Sequence, residues 1–207
     1  MTYEKQVNKA HYDFKSYMDK GRWMSVWHQL NEVIKLEPKT CLEVGPGPGL
    51  FKNVSSNFGI HVETIDLDPE LQPDHVGSAT SLPFDKESFD VTCAFQMLEH
   101  LPYSASLDAF SELVRVSKKG VVISIPDAET VYRWQVWIPT VAAFDRLIPP
   151  KGSKPKEHVF DGEHYWEINK VGYMLDKVIQ DLTKICKMEN TYRVMENPYH
   201  RFFVFRK

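Results

Sequence analysis

The chain has 207 residues, 43% of them hydrophobic and 26% charged, with a formal net charge of −3. That length suits one α/β core with room for an elaboration, and the weakly acidic balance leaves no electrostatic footprint for nucleic acid or an anionic membrane. No apolar run approaches membrane-spanning length and no signal-peptide pattern opens the chain. Cys41, Cys93 and Cys186 are scattered, with neither disulfide nor zinc spacing, so a cytoplasmic protein with free thiols is expected.

Residues 3–19 are polar with interspersed Tyr3, Tyr12, Phe14, Tyr17 and Met18, the pattern of a short helix lying on the body. Past Gly21, Trp23, Trp27, Leu30 and Ile34 recur at helical spacing beside Val26 and Val33. This predicts a helix that buries its tryptophan-bearing face before Pro38. The short apolar run from Cys41 to Val44 is too bounded for a helix and predicts a buried parallel strand. Gly45-Pro46-Gly47-Pro48-Gly49 follows, a turn with three missing Cβ atoms in which a ligand can approach bare backbone. A helix from about Leu50 to Asn57 directs its free N–H groups into that turn. Strand, glycine turn and helix together predict a nucleotide-binding crevice at a strand's carboxyl end. A dinucleotide fingerprint requires glycine at position 50, where Leu50 stands, so a nicotinamide-dependent reductase is disfavoured.

The alternating run His61 to Asp66 predicts the second strand, and a short third strand falls near residues 74–77. Asp66, Leu67 and Asp68 lie where an acid meets ribose hydroxyls in such crevices; Asp68, two residues past the strand end, is the preferred candidate. Phe89 to Phe95 predicts the central strand. The helix from about Ser104 carries Leu107, Phe110, Leu113 and Val114 on one face and is expected to stop at Lys118-Lys119-Gly120. Val121 to Ile125 predicts the fifth strand.

Three stretches carry a family resemblance. They are Glu43-Val44-Gly45-Pro46-Gly47-Pro48-Gly49, the segment Ser78-Ala79-Thr80-Ser81-Leu82-Pro83-Phe84 with Ser88-Phe89-Asp90-Val91, and Glu99-His100. Together they resemble the class I S-adenosylmethionine-dependent methyltransferases, in the type 11-like branch that modifies small molecules and lipids. The resemblance covers about residues 22–125 by motif and 169–207 by layout. It implies an α/β three-layer sandwich: a mostly parallel seven-stranded sheet with one antiparallel strand. It also implies S-adenosylmethionine as cofactor and methyl transfer to a small-molecule acceptor, with a cofactor-binding module lacking turnover as the rival from another class. The roles it implies are Glu43, Gly45, Gly47 and Gly49 for the methionine end, Asp66 or Asp68 for the ribose, Leu67, Ser78 and Ala79 flanking the adenine, and Phe95 and Gln96 near the sulfur. The family usually has an acid where Ser78 stands.

A single domain is expected: N-terminal helices over 1–38, a cofactor-binding core over 39–125, an insert over 126–168, and a last helix with a strand pair over 169–207. The insert holds many aromatic residues and the breaker-rich run Pro149 to Lys156, the composition of a substrate-recognition loop. Within it His164 is the candidate general base. His158 and His164 lack metal-ligand spacing, and no metal site is expected. Asn169 is expected to cap the last helix, with strands following near 188–194 and 202–205.

Overall fold

The computed structural model describes residues 9–207; Tyr3, in the first expected helix, lies outside them. Among the described residues nine strands are present: β1 (Thr40–Val44), β2 (His61–Asp66), β3 (His75–Val76), β4 (Phe89–Phe95), β5 (Ser117–Pro126), β6 (Tyr132–Ile138), β7 (Ala142–Ile148), β8 (Met188–Arg193) and β9 (His200–Arg206). The α-helices are α1 (Phe14–Tyr17), α2 (Lys20–Ile34), α3 (Leu50–Ser56), α4 (Tyr103–Val116) and α5 (Leu175–Thr183). Seven strands form one sheet in the order β3-β2-β1-β4-β5-β9-β8. The pairs among β1 to β5 are parallel, and β9 runs antiparallel to both β5 and β8. The fold is thus the expected α/β three-layer sandwich with one antiparallel strand.

Alternation along β1 and β4 builds the two outer layers. Leu42, Val44 and Ala94 face a core completed by Phe110 and Leu113 of α4 and Val178 and Leu182 of α5. Cys41, Cys93 and Phe95 face the opposite core, with Val33 of α2 and Phe51 of α3. Successive side chains point to opposite faces, so one strand serves both layers. The strand order reverses between β1 and β4, and their carboxyl ends open the crevice on the sheet's upper rim.

Several local expectations are corrected. The tryptophans of α2 are not its buried face: Trp23 and Trp27 are 51% and 52% exposed, whereas Val26 and Val33 are buried. Both faces are apolar enough to satisfy the period, and the smaller β-branched pair meets the sheet. Lys118, Lys119 and Gly120 belong to β5 and do not stop α4, because the chain turns extended at Ser117. Gly120 is required there for another reason, since a Cβ would lie 2.4 Å from the Phe205 carbonyl oxygen of β9. The last helix starts at Leu175, six residues beyond the expected cap. Asn169, at φ +64, still reaches it, accepting the Leu175 N–H at 3.2 Å.

The insert splits into two parts. β6 and β7 form a separate two-stranded ribbon with Tyr132, Trp134, Val136 and Phe144 exposed, tied to the body through Arg133, which pairs with Asp145 and Glu196. Its end returns to the main core, where Trp166 and Ile168 are buried.

Candidate functional site

The turn after β1 has the backbone its glycines permit. Gly45, Gly47 and Gly49 take φ values of +72, +52 and +72, where L side chains are strained. The Gly45 N–H donates to Ile65 O at 3.0 Å and carries the ladder one residue past the strand. A Cβ on Gly45 would sit 2.5 Å from Met97 Cγ, and one on Gly47 would sit 3.1 Å from the Tyr12 ring.

This turn floors an open crevice lined by Glu43, Gly45, Gly47, Phe95 and Gln96 from the strand ends. Tyr12, Tyr17 and Arg22 line it from the N-terminal segment, and His200 from β9. Sequence reading missed the last four, which stand far from the glycine motif in the chain and follow no spacing rule. The Arg22 guanidinium lies 4.0 Å over the Tyr17 ring, placing a cation at the crevice wall. Gln96 leaves β4 at φ +53, a conformation that a non-glycine residue adopts at a cost. Its amide donates to Ser124 Oγ at 3.2 Å. His200 is buried, which holds its imidazole neutral by lowering the pKa to about 3.

Glu43 is the titratable group on the crevice's floor. It is completely buried, and its Oε2 has no hydrogen-bond partner. Burial raises its pKa from 4.5 to about 8, against the smaller opposing pull of Lys52. A raised folded pKa means that the folded chain keeps a proton that the unfolded chain releases, so this contribution to stability is complete below about pH 4.5 and is lost as pH climbs towards 8. Urea melts of Glu43→Gln should therefore show the variant gaining on the parent progressively from pH 5 to 8; a difference independent of pH would contradict this.

On the ribose side, Asp66 Oδ1 accepts the Asp68 N–H at 2.9 Å, and burial raises the Asp66 pKa. Asp68 is buried and accepts the Glu70 N–H at 3.0 Å, starting a 3₁₀ turn. Leu67 between them is 39% exposed. Ser78 Oγ lies 2.9 Å from Thr80 Oγ1 and accepts the Thr80 N–H at 3.3 Å, and Ala79 packs against the core.

His164 lies elsewhere on the same rim. Its Nδ1 is 3.0 Å from Glu167 Oε1, which also accepts from the Tyr199 hydroxyl. Burial lowers its pKa, but Glu167, Glu99 and Asp161 outweigh that and leave it raised. Glu99 and His100, at the carboxyl end of β4, complete a trio with His164. His158 only touches the backbone, its Nε2 lying 2.8 Å from His164 O. The Glu99 carboxyl is buried, which raises its pKa to about 8, and burial beside His164 lowers that of His100 to about 4. Glu163 of the insert faces His11 of the N-terminal segment at 3.8 Å. The second half of the insert thus meets the N-terminal segment over this rim.

Residues 42–125 match a family described as a methyltransferase domain. A protein of Mycobacterium sp. (strain JLS) named as an uncharacterized methyltransferase is 33% identical over 94 residues, 40% of this chain and 36% of that protein. The match thus spans little more than a third of that relative's length. Among solved structures, a protein from Pyrococcus horikoshii OT3 has a TM-score of 0.63 at 13% identity, covering 95% of each chain. The Burkholderia thailandensis 1,6-didemethyltoxoflavin-N1-methyltransferase, solved with 1,6-didemethyltoxoflavin and S-adenosylhomocysteine, has a TM-score of 0.60 at 13% identity, covering 96% of this chain and 87% of the other. At such identities the structural likeness concerns the fold, while the match over 42–125 bears out the family resemblance carried by the motifs. No helix among the described residues is long and apolar enough to cross a membrane.

Proposed function

We propose that this chain, which carries the methyltransferase domain at residues 42–125, binds S-adenosylmethionine in the crevice above β1 and β4 and passes its methyl group to a small acceptor. The observation that carries this reading is the unpartnered, buried Glu43 Oε2 at the floor of a turn too tight for side chains. A buried carboxyl without a partner is costly, and a ligand that brings an ammonium to it while lying against bare backbone meets both needs. S-adenosylmethionine supplies a methyl already activated on a sulfonium, which leaves the protein to bind, orient and exclude water.

In this reading Glu43 takes the ammonium of the methionine end, and Arg22 takes its carboxylate from the crevice wall. Gly45, Gly47 and Gly49 let the ligand lie on bare backbone. Asp68, or Asp66 beside it, accepts from the ribose hydroxyls. Leu67, Ser78 and Ala79 flank the adenine, and Phe95 and Gln96 line the sulfur side. Tyr12 and Tyr17 cover the site, so the N-terminal segment works as its roof. The acceptor is held by residues 157–168 of the insert, where Glu163 faces His11 and His164 joins Glu99 and His100. The methyl-transferring reading outranks a reductase because Leu50 replaces the glycine that a dinucleotide turn needs. A cofactor-binding module without turnover is the second reading, favoured by the Ser78 hydroxyl being engaged by Thr80.

Titration calorimetry decides the ligand: S-adenosylhomocysteine should bind with one site per chain and NADH should not. Absence of S-adenosylhomocysteine binding would end the proposal. Release of S-adenosylhomocysteine from S-adenosylmethionine in the presence of a metabolite extract is expected of the enzyme, and tight binding without release identifies the module.

A further inference from the structure

Glu99, His100 and His164 are left over once the crevice is accounted for. Each offers one ligand atom, and these atoms lie within 4.8 Å of one another. Glu99 is completely buried and neither carboxylate oxygen has a hydrogen-bond partner. A hydrophobic residue would fill that place more cheaply, so an orphaned buried carboxyl here calls for a partner.

The two imidazoles are aimed from behind. His100 Nδ1 lies 3.0 Å from the Glu163 carbonyl oxygen, and His164 Nδ1 lies 3.0 Å from Glu167 Oε1. The Glu167 carboxylate is an acceptor, so in a neutral His164 ring Nδ1 carries the hydrogen and Nε2 the lone pair. Metal-binding histidines are held in this way, one nitrogen donating to a carbonyl or carboxylate while the other faces the ion. The Tyr199 hydroxyl donates to the same Glu167 oxygen and fixes the orienting carboxylate in turn.

We infer that Glu99, His100 and His164 form a site for one divalent first-row transition cation. Two imidazole nitrogens and one carboxylate oxygen suit manganese, iron, cobalt or zinc, whereas magnesium and calcium favour all-oxygen shells. Three protein ligands leave coordination positions open. The site adjoins the crevice: Glu99 lies three residues past Gln96, and the crevice-lining Tyr17 phenol sits in the field of both Glu99 and Glu43. Sequence spacing gave no warning, since His164 comes from the far end of the insert.

The cation site stands independently of methyl transfer. The test uses the full chain stripped with a chelator, titrated with Co²⁺ by visible absorption and with Mn²⁺ by electron paramagnetic resonance. One equivalent is expected to bind. Glu99→Gln and His164→Ala should each weaken binding at least tenfold, and Glu167→Gln about tenfold through loss of orientation. His75→Ala removes a histidine paired with Glu63 on the sheet edge and should change nothing. Circular dichroism checks that each variant folds, and calorimetry with S-adenosylhomocysteine on the same variants reads the crevice separately. Failure of the parent chain to bind either ion, undiminished affinity in folded Glu99→Gln, or an equal loss in His75→Ala would overturn the inference.

Discussion

A Gly47→Val chain will bind S-adenosylhomocysteine at least 100-fold more weakly than the parent, a loss of about 2.7 kcal/mol, while remaining folded. Gly47 sits at φ +52, where a β-branched residue is a backbone outlier costing roughly 1–2 kcal/mol. The new Cβ would lie 3.1 Å from the Tyr12 ring, and the two methyl groups beyond it add bulk to a turn that lines the crevice. The neighbour that must give way belongs to the N-terminal segment, outside both buried cores. Gly59→Val supplies the control. Gly59 has φ +78 and nothing within 4 Å of its absent Cβ, so it pays a similar backbone cost with no ligand nearby. Calorimetry on the two variants should separate them, Gly59→Val keeping the parent's affinity. Undiminished binding in Gly47→Val would remove the ligand from the turn.

The parts of this molecule legible in its sequence are those governed by short-range rules. Cys41 to Val44 is a strand because four apolar-rich residues precede a turn that no side chain tolerates, and both facts lie within ten residues. The long stripe of α4, with Phe110 and Leu113 buried, follows from period alone. What escaped was decided by partners distant in the chain. Trp23 and Trp27 have the right spacing for a buried face, yet Val26 and Val33 are the pair that is buried. Gly120 looks like a helix stop and is a close-approach residue for a strand that enters some 80 positions later. The β6–β7 ribbon hides among aromatics that could equally line a loop. The site shows the same division: the glycine turn and the acids after β2 stand in motif order, whereas Arg22, Tyr12, His200 and the pairing of Glu99 with His164 depend on tertiary closure.

The second large effect is expected at Asp127, where Asp127→Ala should cost about 3–5 kcal/mol of stability and lower the melting temperature by roughly 10 °C. Asp127 follows β5 directly and its carboxylate is fully buried. Three donors converge on it and a second guanidinium stands beside it. The Arg201 Nε of β9 donates to Oδ2 at 2.7 Å, and the Arg193 Nε of β8, which donates to Pro198 O, lies 3.6 Å from the same oxygen as an ion-pair partner. Asn169 Nδ2 donates to Oδ1 at 2.9 Å and the Glu129 N–H at 3.1 Å. Alanine leaves two nearly buried guanidinium groups without this partner, which is what makes a broken buried pair so costly. Asp127→Asn should recover little. Only a carboxylate accepts on both oxygens, and whichever way the amide is turned its NH₂ faces donors already in place. The group also joins the root of the insert at Asn169 to the antiparallel end of the sheet, so its loss should loosen residues 157–168 over the rim. Thermal melts of both variants, with hydrogen exchange across the insert, check the two effects together. A melting temperature unchanged in Asp127→Ala would mean that the arginines find other partners and that this carboxylate does not hold the rim.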